Sequence, residues 1–342
     1  MKKRTLGRTG LQVSELCLGT HSFGWKTSLE TSYALLDAYR AAGGNFIQAS
    51  AVCPDFPMTS DWQGLPEAHV GQWMNDRTVR RGDLVIATRL ALCRPVSDSR
   101  SISRLIRAAC EGSLRRLGIG HLDLLLIEWN EALLPIEEVF GTIGMLVRAG
   151  MLRYGAVSGF PSWRVADLIG LSKRADIARP EAMQVEYSLL RRGTAEIEAR
   201  DVAREYRLGL LARAPLAHGR LAEPLAGQAV APAGDNVGRV LDALYFAARE
   251  RGVSAAQIAL GWVLAAPEVT SVLLRPRTPA HLTDALKAAK LELTPNELAM
   301  LDDVSLPPSD LLPVVPASTA AFPCSPVTQL GDGCRIPELI NS

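Results

Sequence analysis

Leu16-Cys17-Leu18 runs directly into Gly19-Thr20-His21-Ser22-Phe23-Gly24, and the fold turns on that junction. A short apolar run closed by a glycine-bearing turn is how a strand–helix unit opens. A doubly wound dinucleotide fold wants a GxGxxG turn directly after its first strand, and this turn lacks that spacing. Further apolar runs follow at Asn45-Phe46-Ile47, Leu84-Val85-Ile86-Ala87 and Leu124-Leu125-Leu126-Ile127. They read as strands buried on both faces, as parallel sheets require. Between the last two, Ile102, Leu105, Ile106, Ala109, Ser113, Leu114 and Leu117 fall on one helical face, and Gly118 offers a stop. Residues 154–157, 183–185, 209–211 and 271–274 supply four more strand candidates, each followed by a helix-like segment. Eight alternating units without a nucleotide-binding turn predict a (β/α)₈ TIM barrel over residues 1–306 as a single domain.

Two stretches stand outside the alternation. Residues 223–236, rich in Ala, Pro and Gly, follow the seventh strand on the face where barrel loops carry function. Residues 307–342 form a Pro-rich tail without periodicity, expected either to drape over the barrel mouth or to stay partly disordered.

The 342 residues are 48% hydrophobic and 21% charged, enough to bury a large core. A net charge of +1 offers no whole-chain reason to expect a nucleic acid or an anionic membrane as partner. No apolar run is long enough to span a bilayer, and no secretory leader is visible, so a cytoplasmic location is expected. Cys17, Cys53, Cys93, Cys110, Cys324 and Cys334 show no metal-ligand spacing and read as free thiols.

Longer motifs carry a resemblance. Leu6-Gly7-Arg8-Thr9-Gly10-Leu11-Gln12-Val13-Ser14, then Leu18-Gly19-Thr20, resembles the opening of bacterial aldo-keto reductases. Ser113-Leu114-Arg115-Arg116-Leu117-Gly118 before Leu122-Asp123-Leu124 looks like the same family. Gln184-Val185-Glu186-Tyr187-Ser188-Leu189, Pro215-Leu216-Ala217-His218-Gly219-Arg220-Leu221 and Leu293-Thr294-Pro295-Asn296-Glu297-Leu298 continue the match in order. The resemblance implies a barrel of the aldo-keto reductase type, a small-molecule substrate, and hydride transfer from a nicotinamide to a carbonyl. In that chemistry a Tyr donates the proton, a Lys and an Asp tune it, and a His orients the substrate oxygen.

By the same resemblance, all four of those positions are changed here. Asn45-Phe46-Ile47-Gln48-Ala49-Ser50-Ala51-Val52-Cys53 puts Gln48 where the Asp is expected and Cys53 where the Tyr is expected. Arg89 replaces the Lys and Glu128 replaces the His. Loss of function by drift should leave mostly small or apolar residues, whereas these four are polar or reactive. Asp, Lys and neutral His sum to zero charge, and so do Gln48, Arg89 and Glu128. An Arg89–Glu128 ion pair is therefore expected, costing about 3–5 kcal/mol to break if it is well buried. Cys53 reads either as a small hydrophobe filling the vacated corner or as a thiol activated by Arg89.

The cofactor reading stays open. The resemblance implies nicotinamide contacts at Ser158, Gln184 and Tyr187, with Gly159 in place of an Asn. It implies pyrophosphate contacts at Pro215, Leu216 and Gly219; in the loop after the eighth strand Arg277 is retained and Arg275 stands where a Gly is usual, and the two read either as phosphate ligands or as solvated charges. NADP(H) is the expected cofactor if there is one. Three functions follow. The favoured one is a non-redox step on a small carbonyl metabolite, with Glu128 as acid or base and Arg89 stabilising an enolate. If Glu128 is locked to Arg89, His21 or Asp55 would have to substitute. The others are an NADP(H)-dependent oxidoreductase with an altered proton donor and a non-catalytic ligand-binding barrel. Trp25, Trp62 and Trp129 would line an apolar pocket or simply pack.

Overall fold

Eight parallel strands close on themselves, the last pairing both the seventh and the first. They are β3 (Leu16–Gly19), β4 (Phe46–Ser50), β5 (Val85–Leu90), β6 (Leu122–Glu128), β7 (Leu152–Ser158), β8 (Pro180–Glu186), β9 (Gly209–Arg213) and β10 (Val269–Leu274). The computed structural model describes residues 1–51, 64–91, 99–128, 135–173, 176–222 and 236–306. Met1–Pro307 forms one compact unit. Cys53, Asp55, Trp62, Trp129, nearly all of 223–236 and the tail from residue 307 lie outside the described residues.

Helices follow the strands around the outside: α1 (Leu29–Ala41), α2 (Leu65–Asp76), α3 (Ser99–Leu117), α4 (Ile136–Arg148), α5 (Ser162–Leu171) and α6 (Arg200–Tyr206), then α7 (Asn236–Arg251) and α8 (Ala255–Ala265) before β10. The chain closes with α9 (Pro279–Ala288) and α10 (Pro295–Val304). The expected stripe on α3 is present, with Ile102, Ile106, Ala109 and Leu117 buried. Gly118 stops the helix in the left-handed region at φ 66°, a conformation that favours a residue without Cβ. Thr294 opens α10 with a reciprocal cap, its hydroxyl accepting from the Glu297 N–H while Glu297 accepts from the Thr294 N–H at 2.6 Å.

Strand alternation divides the core in two. Leu16, Leu18, Ile47, Ile86, Leu125, Ile127, Val157 and Met183 face outward into the layer between sheet and helices. Cys17, Phe46, Ala87, Leu126, Ala156, Ala182, Leu211 and Leu273 face the axis and fill the barrel interior. Small residues on β5, β7 and β8 leave room for Phe46 and the leucines.

A two-stranded hairpin, β1 (Lys3–Thr5) and β2 (Gln12–Ser14), precedes the barrel and was not among the expected elements. It closes the N-terminal end of the barrel. Leu6 and Val13 join the interior core, and Arg4 donates to the Leu264 carbonyl in the last turn of α8 and to the Val269 carbonyl at the start of β10. Gly7, at φ 52°, lies so close to the Glu181 carbonyl that a Cβ would come within 2.5 Å of it. The Leu-Gly-Arg-Thr-Gly motif is therefore the plug of the barrel floor, remote from the mouth.

Candidate active site at the barrel mouth

One step beyond the interior core, each strand presents an inward position at its C-terminal end. Because side chains alternate with period two, Gly19, Gln48, Arg89, Glu128, Ser158, Gln184, Arg213 and Arg275 follow the interior residues Cys17, Phe46, Ala87, Leu126, Ala156, Ala182, Leu211 and Leu273 in turn. Register agrees: Gly19 pairs Gln48, Glu128 pairs Ser158 and Ser158 pairs Gln184. This polar ring lies on the face where barrels of this class do chemistry.

Three of the four residues expected at the catalytic positions, Gln48, Arg89 and Glu128, come together here; Cys53 lies outside the described residues. Arg89 Nη1 bonds Glu128 Oε2, so the expected pair is formed. It is only partly buried, with the two side chains 19% and 23% exposed. Gln48 is engaged as well. Its amide pairs reciprocally across the ring with Gln184, Gln184 Nε2 donating to Gln48 Oε1 at 2.7 Å and Gln48 Nε2 to Gln184 Oε1 at 3.4 Å. Ser158 Oγ adds a 3.3 Å bond to the same Gln184 oxygen. All three are buried.

The remaining positions divide. Pro215, Leu216 and Gly219 form the turn after β9, where Ala214, Ala217 and His218 take positive φ of 51°, 47° and 60°. Such backbone is costly for residues with a Cβ and tends to persist where function needs it. Arg277 is exposed beyond β10. Tyr187 is not brought to the mouth. It is out of phase with Gln184, so its ring enters the outer layer, 2% exposed and 5.1 Å from Trp262. Its hydroxyl donates to Glu196 at 2.7 Å, and Glu196 in turn binds Arg192, which holds α10 through the Asp302 carbonyl. Burial and Glu196 push its phenol well above the ordinary range, consistent with a structural clamp.

His21 and Arg213 complete the mouth. His21 Nδ1 lies 3.4 Å from Ser50 Oγ, and Ser50 pairs Arg89 in register. Burial first, then the charges of Arg275, Arg89 and Lys26, hold its imidazole below the usual histidine range, so it is neutral at neutral pH. Arg213 was legible only from its parity with Leu211, a signal that becomes usable once the end of β9 is known. Its guanidinium reaches across β8 toward Gly159, where a Cβ would fall 3.9 Å from Nη2. Gly159 takes φ 68°, which accounts for a residue without side chain at that turn. Among the described residues there is no group of three or more His, Cys, Asp or Glu that would hold a metal. Cys17 and Cys110 are free and buried, and burial raises both thiols.

The family model for the aldo/keto reductase family matches residues 15–306, the barrel from its first strand to the end of α10. The chain belongs to the aldo/keto reductase family. An aldo/keto reductase relative named an uncharacterized oxidoreductase, YrpG of Bacillus subtilis, is 32% identical over 322 residues, covering 89% of this chain and 96% of that protein. A probable voltage-gated potassium channel subunit beta of Oryza sativa is 29% identical over 309 residues, covering 84% of this chain and 91% of its own length. Protein tas of Escherichia coli is 28% identical over 340 residues, 89% of this chain and 97% of that one. Within the described residues no helix is long and apolar enough to cross a membrane.

Proposed function

We propose that this aldo/keto reductase family barrel catalyses a non-redox transformation of a small carbonyl compound, by proton abstraction beside the carbonyl followed by isomerisation or elimination. The observation that carries the reading is the Gln48–Gln184 amide pair. Gln184 is a residue expected to hold the nicotinamide, and Gln48 takes up its amide, while Arg213 projects toward Gly159, where the expected Asn contact is missing. The nicotinamide end of NADP(H) therefore fits this mouth poorly.

The ion pair redistributes the roles expected for the polar residues. Glu128, bonded to Arg89, is a poor base; its part is to position that guanidinium. Neutral His21 is the group free to accept a proton, and Arg89 stabilises the enolate oxygen that forms. In isomerisation the proton returns at a neighbouring carbon; in elimination it leaves with a β-hydroxyl as water.

The second reading is an NADP(H)-dependent oxidoreductase. It is supported by the oxidoreductase relative and by the strained turn at 214–219, where a pyrophosphate would sit. Two measurements separate them. NADPH-dependent turnover on a panel of aromatic and aliphatic carbonyls should stay near background. Exchange of carbon-bound protons for deuterium in 2-oxo and 3-oxo acids should proceed in the parent and drop about 100-fold or more in His21→Gln, the loss expected for a general base. Strong NADPH turnover without exchange would refute the non-redox reading.

A further inference from the structure

Arg213 and Arg275 are the two cations of the polar ring that nothing in the ring neutralises. Arg213 ends β9 and Arg275 directly follows the neighbouring β10, and continued alternation points both toward the axis. Among the described residues neither guanidinium has an ion pair or a hydrogen bond, and Arg213 Nε is buried with no partner at all. The carboxylates within the mouth are otherwise engaged. Glu128 is bonded to Arg89, and Glu186, the register partner of Arg213, makes no ion pair with it and instead stands 3.5 Å from His218, which is a cation only when protonated. The stem of Arg275 lies over Gly19, where a Cβ would come 3.4 Å from its Cγ. Gly19 and Gly159 thus leave the space that the two guanidiniums extend into. Desolvation of Arg275, followed by repulsion from Arg89 and Arg213, holds its charge below the ordinary arginine range; Glu128 only partly offsets this. Arg275 nevertheless keeps solvent-exposed surface and Arg213 is partly exposed, so both can meet a dissolved anion, which would relieve the repulsion among the three guanidiniums of the mouth.

We propose that Arg213 and Arg275 form an oxyanion clamp that holds a carboxylate or phosphate group of the substrate across the mouth, beside the Arg89–Glu128 pair. A planar guanidinium donates two parallel hydrogen bonds to either group, and two such forks from adjacent strands fix its orientation as well as its charge. The substrate class is then an oxo acid or a phosphorylated carbonyl compound. The clamp rests on the mouth being the substrate site, but binding an anion does not depend on which reaction follows. Carbonyl reduction would sink the non-redox reading and leave the clamp standing; absence of binding would sink the clamp alone.

The test is calorimetric titration of the full chain at low ionic strength with inorganic phosphate and with malonate, against chloride at matched ionic strength. One or both should bind saturably where chloride does not, and the tighter one identifies the anionic group. Arg213→Gln and Arg275→Gln should each weaken binding by roughly tenfold or more, the effect of removing a charge-assisted donor, while Lys290→Gln, exposed just beyond α9, binds like the parent. If a Gln variant fails to fold, Arg213→Lys and Arg275→Lys keep the charge, lose the fork, and should still weaken binding. The clamp is refuted if neither anion binds beyond chloride, or if binding survives at both positions. It is refuted equally if Arg277→Gln weakens binding as much as Arg213→Gln and NADP⁺ displaces the anion, because the anion seat would then belong to a cofactor phosphate.

Discussion

Arg89 and Glu128 replace one another's need for water. Each strand end brings a charge to the axis, and the pair satisfies both, but with about a fifth of each side chain still exposed the desolvation is incomplete. The full penalty of about 3–5 kcal/mol for a broken buried pair applies only where the orphaned charge cannot reach solvent. Glu128→Gln should therefore destabilise by about 1–2 kcal/mol, between the surface and buried limits. Denaturant unfolding of Glu128→Gln and of the double variant Arg89→Met/Glu128→Leu measures it. The double variant should recover most of the loss, because no guanidinium is left without a partner. A single variant losing 4 kcal/mol or more would mean that the pair is desolvated far beyond its one-fifth exposure. The identity of this pair was legible in the sequence, since a strand-end Arg without a neighbouring acid demands a carboxylate nearby. Its depth was not, because exposure at a barrel mouth depends on loops whose sequence has no period.

At the level of elements, the eight barrel strands were visible as apolar runs, and the observed strands mostly extend those runs by one to three residues. The extensions matter most, because Gln48, Arg89, Glu128 and Arg213 are polar residues that continue β4, β5, β6 and β9 past the point where hydrophobicity stops signalling a strand. The hairpin β1–β2 carried too few apolar residues to read as strand, and Tyr187 was assigned to the mouth because a motif shows order and not phase. Asp123 illustrates what only the fold reveals. It is 1% exposed at the start of β6, accepts from the Ile86 N–H of β5 at 2.8 Å, and meets Arg81 at 2.5 Å and Arg153 at 3.1 Å. It thus ties three consecutive strands at the floor of the barrel. Asp123→Ala strands one buried strand donor and two cations, one of which can turn to water. The expected cost is about 3 kcal/mol, with Asp123→Asn recovering roughly half because its amide oxygen still accepts from Ile86. Chemical denaturation of the two variants checks the order; equal stability of Asn and Ala would assign the effect to charge alone.

Across the whole molecule, histidines and carboxylates separate the acid response into windows. His21, His69 and His121 all sit below the ordinary histidine value of 6.5, each chiefly through burial, with Arg275 and Arg89 adding at His21 and Arg81 at His121. The folded state therefore binds these protons more weakly than the unfolded chain. Their contribution to stability is present above about pH 6.5 and is lost as pH falls through the depressed values, because the unfolded chain takes up protons first. Glu67 and Glu181 act in the opposite sense: burial raises both, so their contribution is present in acid and declines as pH rises past the ordinary carboxylate value of 4.5. Glu297, lowered to about 2 by its bonds from Arg251, adds a later loss between 4.5 and that value. The parent's melting temperature should thus fall from pH 7 toward pH 5 by less than three histidines alone would cause, and fall again below pH 4.5. The difference between parent and variant isolates the histidine share. His21→Gln, His69→Gln and His121→Gln should each flatten the slope between pH 7 and 5 while leaving the lower window unchanged. His21→Gln carries a second signature: when the Arg213–Arg275 pair holds an anion, the field at His21 weakens, its pKa rises, and the parent's slope becomes shallower in saturating phosphate or malonate. A slope unchanged by all three substitutions would show that these imidazoles titrate normally, and that the cationic field assigned to the mouth is screened by solvent.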